Sequence, residues 1–117
     1  MKLIACLGTG KGTWTVVSNL INKGQWDGVY FVTNDFGKEK FTSAKGKFIV
    51  INPNQDVEEI RDYLISQLKE ELKEEMEVAV NIISGEGIEH SALISALLRC
   101  GVGIKLMTIT KSGIKEI

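Results

Sequence analysis

The stretch Gly8-Thr9-Gly10-Lys11-Gly12-Thr13 sets alternating glycines, two threonine hydroxyls and one cation between apolar segments. Ordered glycine gives up more conformational freedom than any other residue, so this spacing points to a tight bend or a close approach. A turn of this kind that opens onto a helix presents unpaired N–H groups and the positive end of the helix dipole, which makes phosphate or another anion its natural guest. Lys11 would add a full charge, with Thr9 and Thr13 as hydrogen-bonding hydroxyls. The same residues also fit a plain strand-to-helix turn, with Thr13 as N-cap and Lys11 in water. Two familiar phosphate loops do not fit. Gly12 is followed by Thr13-Trp14 rather than Lys-Ser/Thr, which excludes a Walker A loop, and Gly8, Gly10 and Gly12 fall one residue short of the dinucleotide fingerprint. Asp35 lies near where that fingerprint places its ribose-binding acid, and is equally a helix cap or turn former.

A second glycine turn, Ser84-Gly85-Glu86-Gly87, also precedes a helical pattern. Glu86 and Glu89 either complement the dipole of that helix or oppose an anion at its end. His90, the only histidine, is a candidate acid/base or a packed side chain. Ser84, His90 and Asp35 can be written as a triad, but no spacing supports one. Trp14 reads as core, as dimer surface or as a platform for a base. Cys6 and Cys100 sit in apolar segments and read as small buried thiols, with no disulfide or zinc pattern. No metal or cofactor is expected.

The elements that must hold these loops follow from periodicity. Leu3 to Leu7 is a continuous apolar run, as in a strand covered on both faces. Thr13 to Asn22 carries an apolar stripe through Trp14, Val17 and Ile21, with Gly24 as a stop. Val29–Thr33 and Lys47–Ile51 read as strands, and the polar stretch NDFGKEKFTSAKGK between them leaves room for one short helix. From Asp56 to about Met76 the spacing of Val57, Ile60, Leu64, Leu68, Leu72 and Met76 predicts a long helix, capped by Asp56. Val78–Ile83 is a strand, Ile88–Arg99 a helix stopped at Gly101, and Ile104–Ile109 a strand followed by a short tail. This alternation predicts a single α/β domain over residues 1–117, Rossmann-like, with a mostly parallel five-stranded sheet, helices on both faces and strand order 3-2-1-4-5. Strands one and four are then neighbours whose helices go to opposite faces. Both glycine loops meet at that topological switch point, where open α/β sheets bind ligands.

Composition narrows the partners. The 117 residues carry a net charge of −1, which offers no overall attraction to nucleic acid or membrane, so any anion site must be local and no duplex nucleic acid is expected. The N-terminal apolar run is too short for a secretory signal, and no stretch reaches the ~18 apolar residues of a membrane span, so a cytoplasmic protein is the expectation. The helix ALISALLRC is apolar almost all round, and a symmetric homodimer would cover what a small domain leaves exposed.

The stretches LIACLGTGKGTW and INKGQWDGVYFVTND together resemble the start of the CRISPR-associated Rossmann-fold (CARF) domains. Leu7, Gly8, Thr9 and Gly12 match their L-G-T-x-x-G loop, and Val32 and Thr33 the end of their second strand. NIISGEGIEHSALISALLRCGVGIKLMTI has the layout of their second signature, with Ser84 and Gly85 at its Thr-Gly positions. The resemblance implies a homodimer whose joint crevice binds a cyclic oligoadenylate or related nucleotide messenger in CRISPR-linked antiviral defence. It makes Gly8, Thr9, Gly10, Lys11, Gly12 and Thr13 a phosphate or ribose wall, Ser84, Gly85, Glu86 and Gly87 the opposite wall, and Asn34 and Asp35 contacts to sugar or base. Some relatives cleave the ring without metal, through the ribose 2′-hydroxyl. Where basic residues usually follow the second loop, this chain has Glu86, Gly87, Ile88 and Glu89. That speaks for binding, or for a structural role without ligand, over cleavage. A sensor domain alone would act on a separate effector protein, buffer the messenger or degrade it.

Overall fold

Apolar side chains of the central strand point alternately to two buried faces, and that alternation organises the molecule. The structure, a computed structural model, describes residues 1–43 and 45–117; Ala44, inside the polar stretch after the second strand, lies outside them. Strand β1 (Lys2–Cys6) pairs in parallel with β2 (Gly28–Thr33) on one side and β4 (Glu77–Asn81) on the other. Leu3, Ala5 and Leu7 point to one face, where helix α1 (Trp14–Lys23) covers them with Val17, Leu20 and Ile21. Ile4 and Cys6 point to the other, under α3 (Val57–Leu68) and α4 (Gly87–Cys100). A strand buried on both faces has no polar side, which is why residues 3–7 show no period-two signal.

Strand β3 (Lys47–Val50) flanks β2, and β5 (Gly103–Thr110) flanks β4, both in parallel. The order is the one expected from sequence, 3-2-1-4-5, extended by a sixth strand, β6 (Gly113–Glu116), antiparallel to β5. The tail after Ile109 thus folds back as a hairpin through a turn at Lys111 and Ser112, closed by Gly113 at φ 107°, and Ile114 packs beside Ile109 on the α1 face. The polar stretch after β2 contains a short helix, α2 (Asp35–Lys40), as its length allowed. No helix among the described residues is long and apolar enough to cross a membrane.

The long helix expected to run from Asp56 to Met76 ends at Leu68. Leu72 still reaches the core through turns, but Met76 is 90% exposed. Its carbonyl accepts the N–H of Gly103 at the start of the β4–β5 ladder, and a residue in a ladder cannot also continue a helix. The turn segment is tied to the N-terminal edge of the sheet. The Tyr30 hydroxyl donates to Glu71 Oε2 at 2.8 Å, Lys47 Nζ donates to Glu71 Oε1 at 3.0 Å, and Lys2 Nζ donates to the Glu71 carbonyl.

These ties perturb titrations. Burial first, then the hydrogen bond to Glu71, pushes the Tyr30 phenol up to about 12. Burial, with the Glu89 carboxylate adding, pushes the Cys6 thiol from 9.0 up to about 12. The hydrogen bonds from Lys47 and then Tyr30 hold Glu71 below the usual carboxylate range. The native state therefore binds more protons than the unfolded chain between pH 9 and 12, and fewer in the acid range where Glu71 titrates. Urea midpoints measured against pH should fall progressively from about pH 9 upward, by a few kcal/mol in stability at ~1.4 kcal/mol per unit of pKa displacement. Cys6→Ala should remove the lower part of that alkaline fall and Tyr30→Phe the upper part. In acid, the Glu71 contribution should be lost progressively as pH falls from its ordinary carboxylate value through its lower native one, and Glu71→Gln should abolish that component.

Candidate functional site

Strands β1 and β4 deliver their following loops to one edge of the sheet, and the two loops are clasped together there. Leu7 extends β1 by one bond, its N–H donating to the Val32 carbonyl while its own carbonyl accepts the Thr33 hydroxyl at 2.9 Å. The N–H of Gly8 then donates to Ser84 Oγ at 2.9 Å, across to the other loop. The Gly8 carbonyl accepts the indole N–H of Trp14 at 2.9 Å, which ties the loop back to the first turn of α1. A Cβ at Gly8 would stand 2.7 Å from Gly85 Cα, so the first glycine of the motif is required by another backbone. Gly85 reciprocates with φ +97°, and a Cβ there would meet the Glu89 carboxylate at 2.8 Å.

The acids and the histidine of the second loop are used in holding it. Glu89 Oε2 accepts the N–H of Glu86, so this carboxylate caps its own helix and complements the dipole. His90 Nε2 lies 2.7 Å from the Ser84 carbonyl, and as an N–H donor it braces the turn. Ser84 is 2% exposed, with its hydroxyl oxygen taken by Gly8. The Ser84–His90–Asp35 triad is therefore absent: the histidine meets the serine's carbonyl, and Asp35 lines a different cleft. Trp14 is a buried strut, its ring 5.6 Å from that of Phe41 in an edge contact.

Beyond the clasp the first loop opens. Gly8, Thr9, Gly10, Gly12 and Thr13 face Ile83, Ser84, Gly85 and Glu86 across a cleft of about 440 Å³. Residues Lys11–Thr13 form a single 3-10 turn leading into α1, with Gly10 at φ −77° and ψ 99°. Thr13 does not cap through its side chain; its hydroxyl and N–H both turn back to the Gly10 carbonyl. The N–H groups of Thr9, Gly10, Lys11 and Gly12 meet no acceptor among the described residues. A Cβ at Gly10 or Gly12 would meet nothing within 4 Å, and neither residue has a positive φ. The fold thus uses the first glycine and has no visible need of the other two.

The expected site residues are split between neighbouring clefts. Lys11 leans out of the first cleft, its ammonium 5.6 Å from the Phe36 ring centroid and 6.0 Å from that of Trp14. Asn34 and Asp35 line a second cleft of about 500 Å³ at the ends of β2 and β3, with Phe36 and residues 50–54. Asn34 caps α2, its Oδ1 accepting the Gly37 N–H at 2.9 Å. Gly87 lies outside both, in a shallow depression with Val57, Glu86, Ile88 and Ser91. Ile83 was not among the residues expected from sequence. An apolar side chain closing a strand reads as core, yet it stands 51% exposed on the cleft wall.

No protein-family model matches the chain, and no curated protein matches it.

The two kinds of glycine separate in a stability experiment. Gly8→Ala forces a backbone shift and should destabilise by ~1–3 kcal/mol. Gly10→Ala, at backbone angles open to any residue, should leave thermal and urea midpoints unchanged or raise stability by up to ~1 kcal/mol through the unfolded chain. Equal destabilisation by both would show that the loop needs all its glycines for its own shape.

Proposed function

We propose that this chain is a cytoplasmic, homodimeric binding module for a nucleotide-type ligand. It takes phosphate at the loop after β1 and faces the loop after β4 across the cleft. The observation that supports this reading is the pairing of Gly10 and Gly12, which neither backbone angle nor packing requires, with four N–H groups that meet no acceptor among the described residues. Glycines without side chains let a phosphate approach the N–H groups directly, and the open end of α1 adds its dipole. The second loop has its helix end already capped by Glu89, so it serves as a wall. The resemblance of both loops to CARF domains favours a cyclic oligoadenylate, in CRISPR-linked antiviral defence, with the bound state passed to a separate effector protein.

Dimerisation has its own support. Ile83, Ile88 and Val57 are 51%, 48% and 44% exposed, and Ile83 and Ile88 flank Glu86 at the margin of the cleft. A symmetric partner would cover these side chains and close a crevice that is open on a single chain. Ser84 and His90 are engaged in bracing the loop, so the reading is of binding, with turnover as an outcome to be watched for.

Native mass spectrometry with cyclic tetra-adenylate and then cyclic hexa-adenylate tests the reading. The expected species is a dimer carrying one ring, and the ligand released from it should co-elute with the intact ring on chromatography at every time point; a linear isomer of the same mass, or half-ring fragments, would make the module a phosphodiesterase. Gly10→Val should keep its melting temperature and dimer mass while losing at least about tenfold in affinity, because the new side chain fills the approach to the N–H groups. A protein that binds neither ring is not an oligoadenylate module, and its glycine loop then takes another ligand or none.

A further inference from the structure

The two clefts at the C-terminal edge of the sheet meet at a pair of side chains. Lys11 belongs to the loop that shapes the first cleft, yet its ammonium rests over Phe36, which lines the second. Lys11 forms no ion pair with a carboxylate among the described residues. A cation over an exposed ring is held weakly, and a hydrogen-bonded phosphate holds the same cation more strongly. Phe36 is 37% exposed, although it is a large apolar ring beside the buried Trp14. Across the second cleft stand Ile51, Asn52, Pro53 and Asn54. Asn52 Oδ1 accepts the Asn54 N–H, which leaves the Asn52 amide NH₂ as a donor.

We infer that Lys11 and Phe36 form an exchangeable pair that selects ligands carrying both a phosphate and a base. The phosphate, held by the loop's N–H groups, draws the Lys11 ammonium off the ring and onto its own oxygens; the vacated face of Phe36 takes the base, and the carboxamides of Asn52 and Asn54 meet its edge or its sugar. Stacking on an aromatic face tolerates any base, and the carboxamides supply donors and acceptors for polar groups on the ring. The unit recognised by one chain is thus a nucleoside monophosphate, free or as part of a larger nucleotide, in preference to a sugar phosphate or an inorganic anion. This inference rests on the reading of the glycine loop as a phosphate site.

Isothermal titration of the full chain with adenosine 5′-monophosphate and with ribose 5-phosphate tests it. The wild type should bind the nucleotide about tenfold tighter or more. Phe36→Leu, which keeps apolar volume and removes the ring face, should bring the two affinities together while leaving ribose 5-phosphate within about twofold of wild type; Phe36→Trp should restore the gap. Lys11→Met should weaken both ligands. Asn54→Ala, an exposed loop change, should narrow the gap without touching the aromatic cluster, and carries the test if Phe36→Leu does not fold. Equal affinities in the wild type, or a gap that survives Phe36→Leu and Asn54→Ala, overturns the inference and leaves the phosphate loop standing. Failure of the wild type to bind either ligand overturns both readings.

Discussion

The backbone of Gly8 lies against the backbone of Gly85, and the upper edge of the sheet is arranged around that approach. Neither position can carry a side chain, and the hydrogen bond from the Gly8 N–H to Ser84 Oγ holds the two loops at contact distance. Trp14 and His90 brace the clasp from either side, one through the Gly8 carbonyl and the other through the Ser84 carbonyl. Polar groups buried there are satisfied, and no buried side-chain nitrogen or oxygen among the described residues lacks a partner. The free hydrogen-bonding capacity begins one residue later, at Thr9, in solvent. A rigid base and an open lip are combined within six residues, 8–13.

The opposite edge of the sheet is pinned by a different chemistry. There Glu71 gathers a phenol and two lysines, fixing the turn between α3 and β4 beneath the strands. The helix pair α3 and α4 buries Ile60, Leu64, Leu68, Leu93 and Leu97 against β1, β2 and β4. On the other face α1 shares its cover with an aromatic group of Phe31, Phe41 and Phe48. β5 is only half covered on either face, and the β6 hairpin adds pairing to what would otherwise be a long open edge. The rigid part of the molecule is therefore β1, β2 and β4 with their helices, the part from which the clefts hang.

Much of this was legible in the chain. Burial of β1 on both faces demands an unbroken apolar run, and alternation of strands with helices demands parallel pairing, so class and strand order followed from pattern. The topological switch point between β1 and β4 followed in turn. What misled was a period that outlived its helix. Leu72 and Met76 keep the spacing of Ile60, Leu64 and Leu68, but the β4–β5 ladder claims the Met76 carbonyl and Glu71 is held by the sheet. The sixth strand was hidden because a four-residue edge strand, Gly113–Glu116, has too few positions to show alternation.

By itself the sequence determined the fold class, the place where the two glycine loops meet and the identity of the residues available there, because these depend on local periodicity and on rules of connection. It could not tell which glycine serves the fold and which leaves room for something else. Gly8, Gly10 and Gly12 are the same residue in the same motif, and only the tertiary approach of Gly85 separates the first from the other two. Nor could it place Lys11, whose flexible stem reaches either cleft and whose direction is decided by Phe36, a residue 25 positions further along the chain and brought near only by the pairing of β1 with β2. Steric demand and side-chain direction are properties of neighbours in space, and those neighbours exist only once the sheet has formed.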